Sequence, residues 1–269
     1  MDNGNVISLI DKFHSLNLSD NIDFDKFNHY AITHHSTTIE GTTLTEIETR
    51  LLLDEGITPA GKPLQHSLMV KDHHDALLYI IKQAALKTII TPEFLQNINS
   101  RVMNHTGSIY QTVFGEVNGS MGAFRKGNVS AGNTYFVSFD KVEGLIKKLC
   151  DKMADKFLTI STVIDKINIC FDAHFDLVTI HPFYDGNGRT SRLLMNYLQM
   201  YCNLPMSIVF KEDKAAYFEA LDKTRKQEDI TVFRKFMYAQ YEKYLLQEIE
   251  KFEAMNKANG NSRGYSFVF

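Results

Sequence analysis

The sequence predicts a mainly α-helical fold with one short strand-bearing segment, on three observations. Proline is scarce, with five in 269 residues. Long stretches repeat their apolar residues with the helical period of about 3.6. A single segment, residues 113–137 (VFGEVNGSMGAFRKGNVSAGNTYFV), is rich in glycine and asparagine and lacks that period.

In chain order, the period predicts helices over about 5–16, 23–40, 43–54, 66–89 and 92–104. After the irregular segment it predicts helices over about 140–157, 161–179, 188–202, 212–226 and 229–256. Thr43-Leu44-Thr45-Glu46 resembles a capping box at the third helix, and Thr91-Pro92-Glu93 puts proline in the first turn of the fifth. The most regular stretch is DKINICFDAHFDLVTI, where Ile164, Ile167, Phe171, His174 and Val178 share one face. Within the irregular segment, NVSAGNTYF reads as two short strands around the hairpin signal Ala131-Gly132-Asn133. The closing NKANGNSRGYSFVF is polar and glycine-bearing, expected to be flexible before an apolar patch. No internal repeat, low-complexity tract or clear linker divides the chain.

Composition bounds the function. Hydrophobic residues at 44% and charged residues at 23% describe an ordinary soluble globular protein. A formal net charge of -3 argues against a basic footprint across the chain, so no nucleic-acid partner is expected. The start MDNGNVISLI carries an acid where a secretory leader would carry lysine or arginine. No run approaches the roughly 18 apolar residues of a membrane span, so no membrane partner is expected. Cys150, Cys170 and Cys202 are odd in number and far apart, and the first two fall in apolar helical patterns. They read as free thiols of a cytoplasmic protein.

The densest chemistry lies in HPFYDGNGRTSRLL, residues 181–194. His181-Pro182 ends the preceding helix, because a residue before proline is pushed out of the α region. Asp185-Gly186-Asn187-Gly188 is a turn, and Leu193, Leu194, Tyr197 and Leu198 restart a helix just beyond it. The glycines and Asn187 therefore sit at a helix N-terminus, whose free N–H groups and positive dipole end suit an anion. Arg189 and Arg192, three apart, lie side by side in that first turn. Two cations there conflict with the dipole and with each other unless an anion answers both, and a polyphosphate would do so. His181 can take a proton near neutral pH, and Asp185 can hold a magnesium ion beside substrate phosphates.

HPFYDGNGRTSR matches without a gap the signature of the Fic family, His-x-Phe-x-(Asp/Glu)-Gly-Asn-Gly-Arg-x-x-Arg. GAFRKGNVSAGNTYFV resembles the family's flap, and FKEDKAAYFEALDKTRKQEDITVFRKFM resembles the helices that follow its core. The resemblance implies a Fic-type helical bundle with a small β-hairpin flap before the active-site loop. It implies an N-terminal helical region over 1–100, a catalytic core over 101–245, and a helix end and tail over 246–269.

The resemblance further implies transfer of AMP from ATP to a hydroxyl side chain of a target protein. By position, His181 would deprotonate that hydroxyl and Asp185 would bind Mg2+. Gly186, Asn187 and Gly188 would cradle the phosphates, Arg189 would hold the β phosphate and Arg192 the γ phosphate, and Phe183 would anchor the loop. The target would add a strand to the flap. Self-modification at Tyr110, Tyr135 or Ser138 is allowed, as is an oligomer.

Ser-Thr-Thr-Ile-Glu-Gly at 36–41 is similar to the family's inhibitory motif. The resemblance implies that Glu40 pairs with Arg192 and blocks the γ phosphate, with Ser36 on the same helix face and Gly41 ending the helix. Two departures stand out: Thr42 follows Gly41 where an amide or acid is common, and Val137-Ser138-Phe139-Asp140 stands where many relatives carry prolines.

His34-His35 and His73-His74 are adjacent pairs on helices, which point apart and make poor zinc pairs; surface or packing roles are expected. His174 is expected to be a satisfied core histidine. Two other readings remain beside the autoinhibited transferase. One is removal of AMP, or transfer of another nucleotide or phosphate group. The other is a regulatory module that binds ATP and catalyses little.

Overall fold

The computed structural model describes residues 4–16, 22–132 and 134–260. The helix built from DKINICFDAHFDLVTI runs Val163–Ile180 and becomes the centre of the fold. It is buried almost all round, with Ile167, Ile169, Cys170, Phe171, Ala173 and Leu177 each at most 1% exposed. A helix apolar on every side can only sit among other helices.

The helices are α1 (Gly4–Ser15), α2 (Ile22–Ile39), α3 (Glu46–Glu55), α4 (Leu64–Ala85), α5 (Pro92–Val102), α6 (Val142–Thr159), α7 (Val163–Ile180), α8 (Asn187–Tyr201), α9 (Lys214–Gln227) and α10 (Ile230–Gly260). α8 packs on α7 and α4, α5 against α4 and α8, and α10 along α9, α1 and α7. One apolar core runs from Val6 and Phe13 through Leu77, Ile98 and Phe171 to Leu194, Tyr241 and Ile249. Two polar residues buried on α8 share one partner: Asn196 donates to Ser207 O at 2.9 Å, and Gln199 exchanges bonds with Ser207.

Local signals set several boundaries. Thr91 caps α5 by accepting from Phe94 N at 3.1 Å, with Pro92 in the first turn as expected. The capping box of α3 lies two residues beyond its expected place, at Thr45 and Glu48. Thr43 is otherwise engaged: its N–H donates to His66 Nδ1 at 3.2 Å and Lys62 Nζ donates to its carbonyl at 2.8 Å.

The irregular segment holds two antiparallel hairpins. β1 (Ile109–Thr112) pairs β2 (Gly115–Asn118), and β3 (Ser130–Ala131) pairs β4 (Thr134–Tyr135). The sequence signalled only the second, whose turn residue Asn133 lies outside the described residues. The first escapes notice because Val117 is its one buried residue, which leaves no apolar alternation to see. The expected flexible tail, 256–269, starts instead inside α10, which runs on to Gly260, and its remainder, 261–269, lies outside the described residues.

Cys150 and Cys170 are buried free thiols and Cys202 is half-buried and free. Among the described residues, no helix is long and apolar enough to cross a membrane.

Candidate active site

α7 ends at His181, which caps it in the left-handed region (φ 53°, ψ 59°) with its N–H on Leu177 O at 3.0 Å. The pre-proline constraint is met by a sharp reversal rather than an extended residue, and left-handed backbone in a histidine is a local strain. The imidazole Nδ1 lies 3.4 Å from Val178 O, which fixes Nδ1 as the donor and leaves Nε2 as the proton acceptor. Burial pushes the His181 pKa down to about 4, with Arg125 adding to the effect, so the ring is neutral at physiological pH.

The loop after His181 is closed by one side chain. Asn187 accepts from Phe183 N and donates to Phe183 O, both at 2.9 Å, while the Phe183 ring is 1% exposed against Phe124. The Asn187 amide is thus spent on the loop, and its backbone N–H is what it offers an anion. Gly186 takes φ 77° at the N-cap of α8, where a Cβ would lie 2.8 Å from Asn99 Nδ2 and from Met103 Sδ. Only glycine fits that corner. Asn99 supports it by donating to Asp185 O and Thr190 Oγ1, each at 3.1 Å.

The N–H groups of Asn187, Gly188 and Arg189 open the first turn of α8 and have no carbonyl a turn upstream. Beside them, both arginines are buried, at 2% and 3% exposure. Arg189 donates to Val102 O at 3.2 Å and lies 3.7 Å from Asp185 Oδ1. Arg189 Nε and Arg192 Nη1 have no hydrogen-bond partner among the described residues. Two orphaned guanidinium N–H groups next to a free helix N-terminus fit a polyanion.

Glu40 follows the last turn of α2 and meets Arg192. Arg192 Nη2 donates to Glu40 Oε1 at 2.6 Å and to Ser36 O at 3.0 Å, while Nε donates to Ser36 Oγ at 2.9 Å. Gly41, at φ 104°, then turns the chain away. Burial raises the Glu40 carboxyl pKa, but Arg192 and Arg189 outweigh it and hold the group below its ordinary value. The Glu40 oxygen also stands where a side chain at Gly188 would begin: a Cβ there would overlap Oε1 and lie 3.2 Å from Arg192 Nη1.

For magnesium, the donor set at the loop is one carboxylate. The Asp185 side chain is 59% exposed, with Oδ1 accepting from Gly186 N at 2.5 Å. Among the described residues, no group of three or more histidine, cysteine or acidic side chains is set to hold an ion. A single exposed carboxylate beside a helix N-terminus that suits an anion fits magnesium, which takes one or two carboxylates and completes its shell with water and phosphate oxygens.

The structure adds residues that the sequence did not single out. Arg125, 2% exposed, donates from Nε to His181 O at 2.8 Å, from Nη1 to Gly127 O at 2.9 Å and from Nη2 to Val137 O. Phe136 stacks on the His181 ring, centroids 3.7 Å apart and planes 12° apart. Nothing in a glycine-rich stretch marks one arginine as buried. The stretch Val137–Asp140 is fastened by Arg125, by Asn128 accepting from Phe139 N at 3.1 Å, and by Phe114 against Phe139. Of the self-modification candidates, Tyr135 is 86% exposed, whereas Tyr110 stacks on Tyr184 at 4.3 Å.

The adjacent histidines pack between helices. His73 is fully buried, and His34 bridges Thr49 and Lys211. His174 accepts or donates at Tyr217 OH, 2.8 Å away, through Nε2, but its Nδ1 is unpartnered, so it is only half satisfied.

Comparison with known proteins agrees with the signature. Residues 89–199 match the model of the Fic/DOC family. The chain is 31% identical over 204 residues to "Protein adenylyltransferase Fic" of Drosophila willistoni, covering 76% of this chain and 38% of that protein. A second such protein, of Drosophila erecta, is 32% identical over the same length. The chain therefore spans about two fifths of the length of these relatives (38%). Among solved structures, a Fic domain containing signaling protein from Bacteroides thetaiotaomicron superposes with a TM-score of 0.79 at 24% identity, covering 93% of this chain and 98% of that one. Fic-1 from C. elegans superposes with a TM-score of 0.75 at 26% identity, covering 93% and 71%. With every fixed position of the signature filled, from His181 to Arg192, residues 89–199 of this chain are a Fic/DOC family domain.

Proposed function

We propose that this chain transfers AMP from ATP to a hydroxyl side chain of a protein, and that Glu40 restrains the reaction. The observation that carries the proposal is the convergence of a neutral His181, a free helix N-terminus and two buried arginines on one loop. The relatives named protein adenylyltransferase support the reaction class.

In this reading His181 Nε2 takes the proton of the target hydroxyl. The hydroxyl oxygen then bonds to the α phosphorus as the bond from that phosphorus to the β-phosphate bridging oxygen breaks, and pyrophosphate leaves. The first-turn N–H groups of α8 and the Arg189 and Arg192 guanidiniums hold the phosphates in line and answer their charge. Asp185 would hold magnesium, which neutralises phosphate charge when bound. Residues 1–100 supply the restraining helix, 101–245 the catalytic core and 246–269 the helix end and tail. The flap, β3 and β4, presents exposed strand edges for the target's backbone. The three free cysteines suit a reducing compartment such as the cytoplasm.

Glu40 also favours a second reading. Its side chain is 30% exposed, and Oε1 lies over Gly188, within the cradle. A carboxylate there can orient a water for AMP removal, so transfer and removal would share one site.

The test incubates wild type, Glu40→Gly and Glu40→Gly/His181→Ala with α-phosphate-labelled ATP, magnesium and cell lysate. Label carried into protein by Glu40→Gly and lost with His181 is the expected result. ATP binding with no label in any protein would overturn the transferase reading. An AMP-modified protein from Glu40→Gly, returned to wild type, reports removal.

A further inference from the structure

The geometry points to Arg125 as a positioning residue for His181: it clamps both stems of the flap to the start of the signature loop and so sets where the base stands. This deepens the adenylyl-transfer reading and rests on it.

A buried guanidinium ordinarily sits against a carboxylate. Arg125 has no acidic partner among the described ion pairs. Its donors go instead to carbonyls on three separate stretches. Gly127 precedes β3, Val137 follows β4, and His181 opens the loop. Its backbone N–H adds a fourth bond, to Pro182 O at 2.9 Å. Two consecutive signature carbonyls therefore end on one residue of the flap stem.

The bond to His181 O matters because of that residue's backbone. At φ 53° the chain has left the helix, and its carbonyl cannot join the helical ladder. Arg125 gives that carbonyl a partner and so stabilises the strained turn. It also holds Val137, whose neighbour Phe136 covers the imidazole face. Backbone and ring of His181 are thus held from the same anchor. Only a planar fork reaches carbonyls in three directions; lysine, with one nitrogen, cannot.

The charged groups facing His181 are Arg125 from the flap stem, Glu40 from the end of α2 and Arg225 from α9. Removing Arg125 takes away one cation and loosens the Phe136 cover, and both changes let His181 accept a proton at higher pH.

The experiment uses the full chain in the Glu40→Gly background, comparing Arg125→Met and Arg125→Lys with their parent. The readouts are kcat, the KM for ATP, the pH profile of kcat, and the His181 titration by NMR, assigned with His181→Ala. Arg125→Met should lower kcat about 100-fold, the scale of an ångström-level misplacement, and Arg125→Lys less. The KM for ATP should stay within about twofold, since no phosphate-facing group is touched. The His181 midpoint should move up from about 4 toward 6.5. A folded Arg125→Met with unchanged kcat and His181 midpoint would overturn the clamp, as would parallel loss of kcat and ATP affinity. If Arg125→Met does not fold, parental values in Arg125→Lys overturn it alone. If the parent labels no protein, the transfer reading has failed, and the NMR midpoint still decides the clamp.

Discussion

Arg192 and Glu40 lie 152 positions apart in the chain and meet at 2.6 Å. Arg192 is almost fully buried, so the contact is what neutralises a cation held inside the protein. Replacing Glu40 with glycine leaves that cation facing Arg189 unanswered. Glu40→Gly should therefore melt lower without nucleotide, by about 1–3 kcal/mol of stability. It should regain more from ATP than wild type does, because in the proposed reading the γ phosphate then answers Arg192. Thermal shifts with and without ATP check this; equal gains would count against a shared place for carboxylate and phosphate.

The same contact has a pH signature. Its folded-state carboxyl is held below the ordinary value of 4.5 by Arg192 and Arg189 despite burial. A depressed carboxyl contributes stability that is present above its unfolded value and is lost as pH falls through the folded one. Restraint by Glu40 should then persist through mildly acid pH, and wild-type labelling should stay low from about pH 5.5 to 8. A rise in labelling at pH 5.5 would mean that protonation frees Arg192 more easily than this charge balance permits.

Gly188→Ala tests the cradle itself. The added methyl would overlap Glu40 Oε1 and approach Arg192 Nη1 at 3.2 Å. The position opens a helix, where alanine is well tolerated, so the fold should hold. Binding of a non-hydrolysable ATP analogue, followed by calorimetry in the Glu40→Gly background, should weaken at least about tenfold, the scale of one lost charge-assisted contact.

The signature loop and the helices were largely legible because their signals are local. Proline, glycine spacing and apolar period fix α5, α7 and α8 to within a few residues. What stayed hidden depends on where distant segments arrive. Asn99 props Gly186 from α5, and Arg125 reaches His181 from the flap, yet neither residue differs in sequence from an ordinary surface polar group. The hairpin of β1 and β2 was missed for a related reason: it buries too little to need a pattern. Even in the signature, the sequence could not say that the Asn187 side chain would be consumed by Phe183.

Histidine burial predicts acid sensitivity. Burial lowers His29, His35 and His181 to about 4 and His174 to about 3, against 6.5 when unfolded. The unfolded chain binds these protons first, so the stability they contribute is complete above pH 6.5 and is lost as pH falls toward 4. The slope is about 1.4 kcal/mol per pH unit for each group. Melting temperature should fall steeply between pH 6.5 and 4.5, and a flat profile there would show that these rings are not held neutral.

Asn187 separates a structural from an electrostatic role within the loop. Its amide makes two bonds to Phe183, one as acceptor and one as donor, and faces the loop's own backbone rather than the cradle. Asn187→Ala leaves a buried N–H and carbonyl unpaired, at a cost of about 1–3 kcal/mol each. Asn187→Asp keeps the acceptor but turns the donor into a second acceptor against Phe183 O. Both variants should lower melting temperature and labelling together, and Asn187→Ser, too short to span the loop, should behave like Asn187→Ala. If the amide instead served the phosphates directly, Asn187→Ala would lose ATP affinity at an unchanged melting temperature. Calorimetric melting and ATP titration on the same preparations distinguish the two, because a loop that opens loses both properties whereas a missing donor loses only one.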